Sequence, residues 1–154
     1  MDTKPQFPYE GLYISPFTQQ RRYDEDGNVS YIPLERNLQP SGIRLLDGFA
    51  RQLANGQGSR GAYCKQMGIT TTQLDALFQL LTGISADGFR TYFRLRTADD
   101  LLRYTDMEVR EIARRAGLGT STNLFYTFRR EHKCSATDRR YALREKGDLG
   151  RYRL

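Results

Sequence analysis

The sequence predicts a mostly α-helical fold in which two helix-turn-helix units are joined by one long helix, after a short N-terminal segment with a possible β-hairpin. Residues 105–130 have the pattern of a helix, a glycine turn and a second helix. A shorter copy of this pattern occurs at 63–78, and the stretch between the copies has apolar residues at helical spacing. The expected divisions are an N-terminal segment, a helical domain and a charged tail: 1–40, 41–144 and 145–154.

The second helix-turn-helix unit has the clearest pattern. The apolar face of its first helix follows the spacing i, i+3, i+4 and i+7: Val109, Ile112, Ala113 and Ala116. We expect Thr105 and Glu108 to form a capping box at the start of this helix. Gly117 should end it in the left-handed conformation that glycine adopts at little cost. Leu124 and Phe128 then give the second helix its inward face.

The first unit repeats this arrangement with one residue fewer in its turn. Its helices are predicted at Arg60–Met67 and Thr71–Leu81, with Gly68 in the turn. The matching positions of the two copies are Tyr63-Cys64, Met67, Gly68, Ile69, Leu74 and Phe78, and Ile112-Ala113, Ala116, Gly117, Leu118, Leu124 and Phe128. Two copies are too few for a solenoid, so the pattern indicates a duplicated helix-turn-helix.

A single helix is predicted between the copies, from Ala86 to Tyr104. Its apolar residues lie near one face: Phe89, Phe93, Ala98, Leu101 and Leu102. Such a helix spans about 27 Å at 1.5 Å per residue, whereas successive major grooves on one face of B-DNA lie about 34 Å apart. With side-chain reach added, this length would suit two helices in adjacent grooves, although a helix that only spans the core would look the same.

The N-terminal segment has a different composition. All five prolines of the chain lie within residues 1–40, which excludes a long helix there. Asp26-Gly27 lies between Gln19–Tyr23 and Val29–Ile32 and predicts a hairpin. A first helix should follow at Ser41–Ala54 with Ser41 as its cap. The segment is rich in aromatic residues, which we interpret as a small satellite core, with a docking surface as the alternative: Tyr9, Tyr13, Phe17, Tyr23 and Tyr31.

Charge is unevenly distributed along the chain. Residues 1–89 have 8 Lys/Arg and 9 Asp/Glu, a net of −1, whereas residues 90–154 have 16 Lys/Arg and 9 Asp/Glu, a net of +7. A basic half favours an anionic partner, most simply nucleic acid. Ordinary surface solubility is the simpler alternative, because nine acidic residues dilute the positive field.

The sequence lacks the residues that several classes of functional site require. Cys64 and Cys134 are far apart and His132 is the single histidine, so neither a metal site nor a cofactor is expected. Cys64 falls at a small-residue helix position and should be a buried free thiol. No nucleophile–base pair or phosphate loop indicates an enzyme. No apolar run is long enough for a membrane span and no signal peptide is visible, so we expect a cytoplasmic protein.

Four stretches of the helical domain form a recognisable set: LFQLLTGIS, FRTYFRLRTADDLL, TDMEVREIARRAGL and LFYTFRR. Through these stretches the chain resembles, from Tyr63 to Arg140, the AraC/XylS family of bacterial transcription regulators, and the spacing matches without a gap from Gly68 through Phe128. The resemblance implies two helix-turn-helix units that bind double-stranded DNA on one face. Many members also have a large effector-binding barrel. Forty N-terminal residues cannot form a barrel, so no small-molecule effector is expected.

The resemblance weakens after Phe128. The family usually has a glycine, a Thr/Ser-Pro pair, an aromatic residue and an arginine there. This chain has Lys133, Ser135-Ala136, Arg139 and Arg140 at those positions. Ser135 should still cap a last helix that ends near Arg144, with Tyr141 replacing the missing ring in a shifted register. The tail after this helix is expected to be frayed.

The second unit is the better equipped for DNA. Ser121, Thr122 and Asn123 open its second helix, and Asn123 could read adenine. Phosphate contacts are predicted for five basic residues: Arg114, Arg115, Arg129, Arg130 and Lys133. Phe125 and Tyr126 fall on outward positions where polar side chains are usual. They could touch thymine methyl groups or form a protein-binding patch. We assign Tyr126 to DNA and Phe125 to a partner.

The first unit has few groups for DNA. Thr71 and Thr72 are its candidate contacts, whereas Asp75 would repel phosphate, and no Lys or Arg occurs between Lys65 and Arg90. Leu80 is an apolar residue at an outward position and is assigned to a protein partner or a second copy of the chain, unless it packs against the N-terminal hairpin.

Two functions therefore stay open. One is a sequence-specific DNA-binding regulator that depends mainly on the second unit. The other is a protein-interaction module that keeps the fold and has lost DNA reading.

Overall fold

The computed structural model describes residues 4–56 and 59–154. Residues 1–3 of the N-terminal segment, and residues 57 and 58 of the loop after the first helix, lie outside the described residues. The helices are α1 Arg44–Ala54, α2 Arg60–Met67, α3 Thr71–Thr82, α4 Ala86–Tyr104, α5 Val109–Arg115, α6 Ser121–Glu131 and α7 Ala136–Leu143. The strands are β1 Gln19–Tyr23, β2 Val29–Pro33 and β3 Tyr152–Arg153. The predicted mostly α fold with two helix-turn-helix units is confirmed.

The chain forms two compact units, each of which contains one helix-turn-helix unit and is called first or second accordingly. The first contains the described residues up to Ile14 together with Asn37–Arg94, and the second contains Ser15–Arg36 and Leu95–Leu154. Helix α4 contributes its N-terminal part to the first unit and its C-terminal part to the second. The continuous helix predicted at this place is therefore confirmed.

Aromatic rings form much of the core of the first unit. Phe49 contacts the rings of Phe78 and Phe89 at centroid distances of 5.5 and 6.3 Å, and Phe78 stacks on Phe89 at 5.3 Å. All three side chains are buried. Burying an aromatic side chain removes about 150–250 Å² from water, so these rings account for much of the stability of this unit.

The turns of the first unit follow the prediction, but the start of α1 does not. Gly68 ends α2 in the left-handed conformation with φ 71°. Ser41 does not cap α1, which begins at Arg44 without a side-chain cap. Instead the buried Asp47 carboxylate accepts hydrogen bonds from the Ser41 backbone N–H and hydroxyl and from the Gly42 backbone N–H. An acid one turn inside the helix thus holds the preceding loop, and Ser41 becomes a donor to it.

The second unit has its own core of aliphatic residues and one phenylalanine. Leu101, Leu102, Ile112, Leu124 and Phe128 are almost completely buried in it. Six side chains that helical spacing places on the apolar faces of the two units are buried, as this spacing predicts: Phe78, Phe89, Phe93, Leu102, Ile112 and Phe128.

The predicted capping box at the start of α5 is wrong. Helix α5 begins at Val109 and has no side-chain cap. The Thr105 hydroxyl donates to the Leu101 carbonyl and accepts from the Met107 N–H, so it serves the end of α4. The expected turn glycine is confirmed, because Gly117 has φ 78°. The extra residue of this turn is Gly119, also left-handed with φ 79°.

The predicted hairpin is confirmed, and the C-terminal tail extends it. Strand β1 pairs antiparallel with β2 and, on its other edge, with β3, giving the order β2-β1-β3. The expectation of a frayed tail is therefore wrong. Buried Asp148 accepts from Arg103 Nε at 2.7 Å and from the Glu145 N–H at 2.8 Å, and the Arg103 contact lowers the pKa of Asp148. The Tyr152 ring packs against Tyr104 at 4.8 Å.

Arginines replace the expected ring in helix α7. Ser135 caps this helix as predicted. Tyr141 does not replace the missing aromatic residue, because its side chain is 90% exposed. Arg139 instead makes two hydrogen bonds to Asp99 at 2.9 and 3.0 Å. Arg140 and Arg144 both donate to the Leu102 carbonyl, so they satisfy acceptors near the end of α4.

Three of the five N-terminal aromatic residues pack into the two main cores, so they do not form the separate satellite core that was predicted. In the first unit, Tyr9 meets Tyr92 edge-on at 4.9 Å and Tyr13 contacts Phe93 at 5.0 Å. In the second, buried Phe17 contacts Tyr152 at 5.5 Å. The other two are not buried: Tyr31 donates to the Gly150 carbonyl and Tyr23 is exposed.

Candidate nucleic-acid interface

Helix α6 is held by its first turn. Its N-cap, Thr120, accepts a hydrogen bond from the Asn123 N–H at 3.1 Å. The Asn123 side chain donates from Nδ2 to the Leu118 carbonyl at 2.7 Å. This amide therefore closes the turn between α5 and α6, and it keeps one N–H and the Oδ1 acceptor for other partners.

The two faces of α6 differ sharply in chemistry. Leu124, Thr127 and Phe128 are buried. The outward face begins with the exposed hydroxyls of Ser121 and Thr122. Phe125 and Tyr126 follow with 45% and 64% of their surfaces exposed, and their rings meet edge-on at 5.4 Å. The predicted site residues on this helix are therefore brought to one surface.

Cations occupy the C-terminal end of the same surface. The Arg129 guanidinium lies over the Phe125 ring at 5.4 Å, and Arg129 forms no ion pair within the described residues 4–56 and 59–154. Arg130 pairs with its neighbour Glu131 at 3.0 Å, an exposed contact of small value. Cations suit the negative end of a helix dipole, and they remain accessible to an anion there.

Lys133 has an unusual backbone conformation. It is exposed, and its φ of 59° is the single positive φ of a residue other than glycine in the described part of the chain. The position follows the C-cap of α6, where glycine is favoured because a side chain is strained in the left-handed region. A lysine here keeps a positive charge at the end of α6 at a cost in backbone strain.

Arg114 and Arg115 share one carboxylate. Both guanidinium groups bond to Glu111, which precedes them on α5 by three and four residues. Hydrogen bonds from Arg114 and then Arg115 lower the pKa of the Glu111 carboxyl to about 2, so it stays ionised at neutral pH. The two predicted phosphate contacts are thus partly neutralised. The sequence signal for this was the i+3 and i+4 spacing, which places the three side chains on one helix surface.

The corresponding helix of the first unit, α3, presents a neutral surface. Thr71 is half-buried and Thr72 exposed. Asp75 accepts from Arg60 Nη1 at 2.6 Å and from the Asp87 N–H at 3.2 Å, so it links α3 to α2 and to the start of α4. Leu80 is 77% exposed. Gln79 donates to the Gly83 carbonyl at the end of its own helix.

His132 is half-buried, and its role was not predicted. Its Nε2 lies 3.6 Å from Asp99 Oδ2, and its ring packs edge-on against Phe128 at 5.0 Å. Burial lowers the pKa of His132 below 6.5, more than the neighbouring Asp99 carboxylate raises it. As the single histidine it was considered only as a metal ligand, so this packing was not predicted.

Two classes of site find no support among the residues described. No group of His, Cys, Asp and Glu side chains there could hold a metal ion. None of the helices there is both long enough and apolar enough to cross a membrane.

Comparisons with known proteins agree with this architecture. A family model described as a helix-turn-helix domain matches residues 63–141, slightly more than half of the chain. A search of curated proteins finds no match.

Two solved structures have a similar fold. One is the C-terminal domain of the two-component response regulator yesN from Fusobacterium nucleatum, with a TM-score of 0.57 and 17% identity over 62% of this chain and 93% of that one. The other is the xylose-binding transcription activator xylR, with a TM-score of 0.54 and 17% identity over 76% of this chain and 33% of that one. With the double helix-turn-helix and the matched family model, these findings show that the chain belongs to the AraC-type helix-turn-helix family of DNA-binding transcription regulators.

Proposed function

We propose that this protein is a sequence-specific DNA-binding transcription regulator that binds DNA mainly through its second helix-turn-helix unit. The observation that carries the proposal is the outward surface of α6, with Arg129 and Arg130 in its last turn and Lys133 after its C-cap. Phosphate contacts of this kind dominate the affinity of proteins for DNA. The corresponding surface of α3 has no Lys or Arg.

The two units can be compared position by position. Inward residues coincide at a spacing of 50, so that Leu74 corresponds to Leu124 and Phe78 to Phe128. At the same spacing Gln79 corresponds to Arg129, and Leu80 corresponds to Arg130. The first unit thus has an amide and an aliphatic side chain where the second has two guanidinium groups.

Binding to a random-sequence DNA duplex at several salt concentrations tests the proposal. Affinity should fall steeply with salt, because bound phosphates release counterions. Arg129→Ala and Arg130→Ala should each weaken binding and flatten the slope by about 0.9, the value for one phosphate contact. Lys65→Ala, which removes an exposed cation from α2, is the matched control and should change neither quantity. Unchanged binding by both arginine variants would refute the assignment to α6.

Leu80 supports a second candidate function, in which the first unit holds a protein partner or a second copy of the chain. Its 77% exposure on a surface without basic residues suits a protein contact better than a DNA contact, which needs cations to bind phosphates. Leu80→Lys separates the two functions. If a partner binds there, sedimentation should show a lost complex while DNA affinity holds. If the first unit has no partner, the association state should be unchanged.

A further inference from the structure

The exposed aromatic pair on α6 is not part of the hydrophobic core of the second unit. Phe125 and Tyr126 are 45% and 64% exposed, whereas Leu124, the residue before them, is buried. The centroids of their rings are 5.4 Å apart, and the Arg129 guanidinium lies over the Phe125 ring. The three side chains therefore form one contiguous surface, which we call the aromatic cluster. Its large apolar area is costly to leave in water, and this favours a bound state that covers it.

The cluster lies between two polar zones of the same helix. The hydroxyls of Ser121 and Thr122 are one turn before it, and Arg130 and Lys133 lie after it. A protein surface that covered the rings would also bring those cations close, so it would need matching acidic groups. A DNA groove supplies both requirements, with phosphates at its edges and base edges on its floor.

Base edges differ in how well they suit an aromatic ring. The floor of the major groove shows hydrogen-bond donors and acceptors for every base pair, but its single apolar group is the C5 methyl of thymine. A phenyl ring has no donor or acceptor, so Phe125 gains little beside guanine or adenine edges. A methyl group placed against the ring removes apolar surface of both partners from water.

We propose that Phe125, together with Tyr126, selects DNA sites by contact with thymine methyl groups. This inference rests on the proposed binding of α6 in the major groove and adds the base that it prefers. It assigns Phe125 to DNA rather than to a protein partner. Arg129, held over the ring, would bring its charge to the phosphate beside the same base.

The test uses duplexes that differ in methyl groups alone. Sequences that bind best are first selected from a random 30-base-pair pool, and they are then remade with deoxyuridine in place of thymine. Affinity should fall about fourfold for each methyl group in contact with a ring. Equal affinity for the thymine and uracil forms would overturn the inference and leave the proposed function standing. A pool in which no sequence is enriched would overturn the proposed function, and this inference with it.

Variants identify the rings responsible. Phe125→Ala should bring the thymine-to-uracil ratio close to one, whereas Phe125→Leu should keep part of it, since a leucine still offers apolar surface. Tyr126→Ala should reduce the ratio less. Tyr141→Ala is the control, because Tyr141 is an exposed aromatic residue on α7 outside this surface. If Phe125→Ala kept the thymine-to-uracil affinity ratio of the parent protein, the inference would be overturned.

Discussion

The two helix-turn-helix units have similar interiors and different outward surfaces. Their second helices bury Leu74 and Phe78 in one case and Leu124 and Phe128 in the other, at the same spacing. Outward, α3 has no Lys or Arg and its one acid is paired with Arg60, whereas α6 has two arginines in its last turn. The fold is specified by the inward positions, so the outward positions can diverge in charge without altering it.

The comparison also shows how each unit uses its acidic residues. Asp75 has a structural role, because it links three helices of the first unit. Glu111 lies on the second unit and restrains two arginines. The available positive charge of a unit therefore depends on its internal ion pairs as well as on the number of its basic residues.

The largest expected effect concerns the two equivalent phenylalanines. Phe78→Ala and Phe128→Ala should each lower the free energy of unfolding by about 3–5 kcal/mol, because both rings are completely buried. Urea denaturation of the two variants measures this. A loss below about 1 kcal/mol in either variant would mean that its ring is not a core element, and the equivalence of the interiors would fail.

Lys133 should show a trade between stability and DNA affinity. Lys133→Gly should raise the free energy of unfolding by about 1–2 kcal/mol, because glycine adopts a positive φ without strain. It should also weaken DNA binding through the lost charge. Lys133→Ala is the control, because it removes the same charge and keeps the strain. Equal stability of the glycine and alanine variants would show that this conformation costs nothing.

His132 should make stability depend on pH. Burial lowers its folded-state pKa below the 6.5 of the unfolded chain, so the unfolded state binds a proton more readily. The contribution is present in full above pH 6.5 and is lost as the pH falls from there toward the folded-state pKa, at up to about 1.4 kcal/mol per pH unit. Urea denaturation between pH 7.5 and 5.5 measures the slope. His132→Gln should remove the part due to this side chain, and an unchanged slope would contradict the assignment.

Glu111 gives the smallest expected effect and sharpens the comparison of charges. Glu111→Gln should release Arg114 and Arg115 from their shared carboxylate. If they then reach phosphates, the salt dependence of DNA binding should steepen by up to about 0.9 for each new contact. A slope equal to that of the parent protein would show that α5 does not face the DNA backbone.

Patterns with a local cause could be predicted from the sequence. The bounds of α2 and α4, the turn glycines and the hairpin all follow from periodicity or from turn residues within a few positions. Strand β3 could not be predicted, because two residues have no pattern and their partner, Gln19–Gln20, lies far away in the chain. The role of Ser41 was misjudged because a competing acceptor, Asp47, decides it.

The candidate site shows the same division. Exposure of Phe125, Tyr126 and Leu80 was predicted, since helical spacing fixes which face a residue occupies. The hydrogen bond from Asn123 to the Leu118 carbonyl was not predicted. It depends on the conformation of the glycine turn, which spacing alone does not describe.

The most direct test of the central claim gives the second unit the outward residues of the first. The variant Arg129→Gln with Arg130→Leu gives α6 the residues that α3 has at the corresponding positions. Its salt slope for duplex DNA should be flatter by about 1.8, the value for two phosphate contacts, with a folded structure retained because both positions are exposed. A slope and affinity equal to those of the parent protein would contradict the account, because the second unit would then not be the one that holds the DNA backbone.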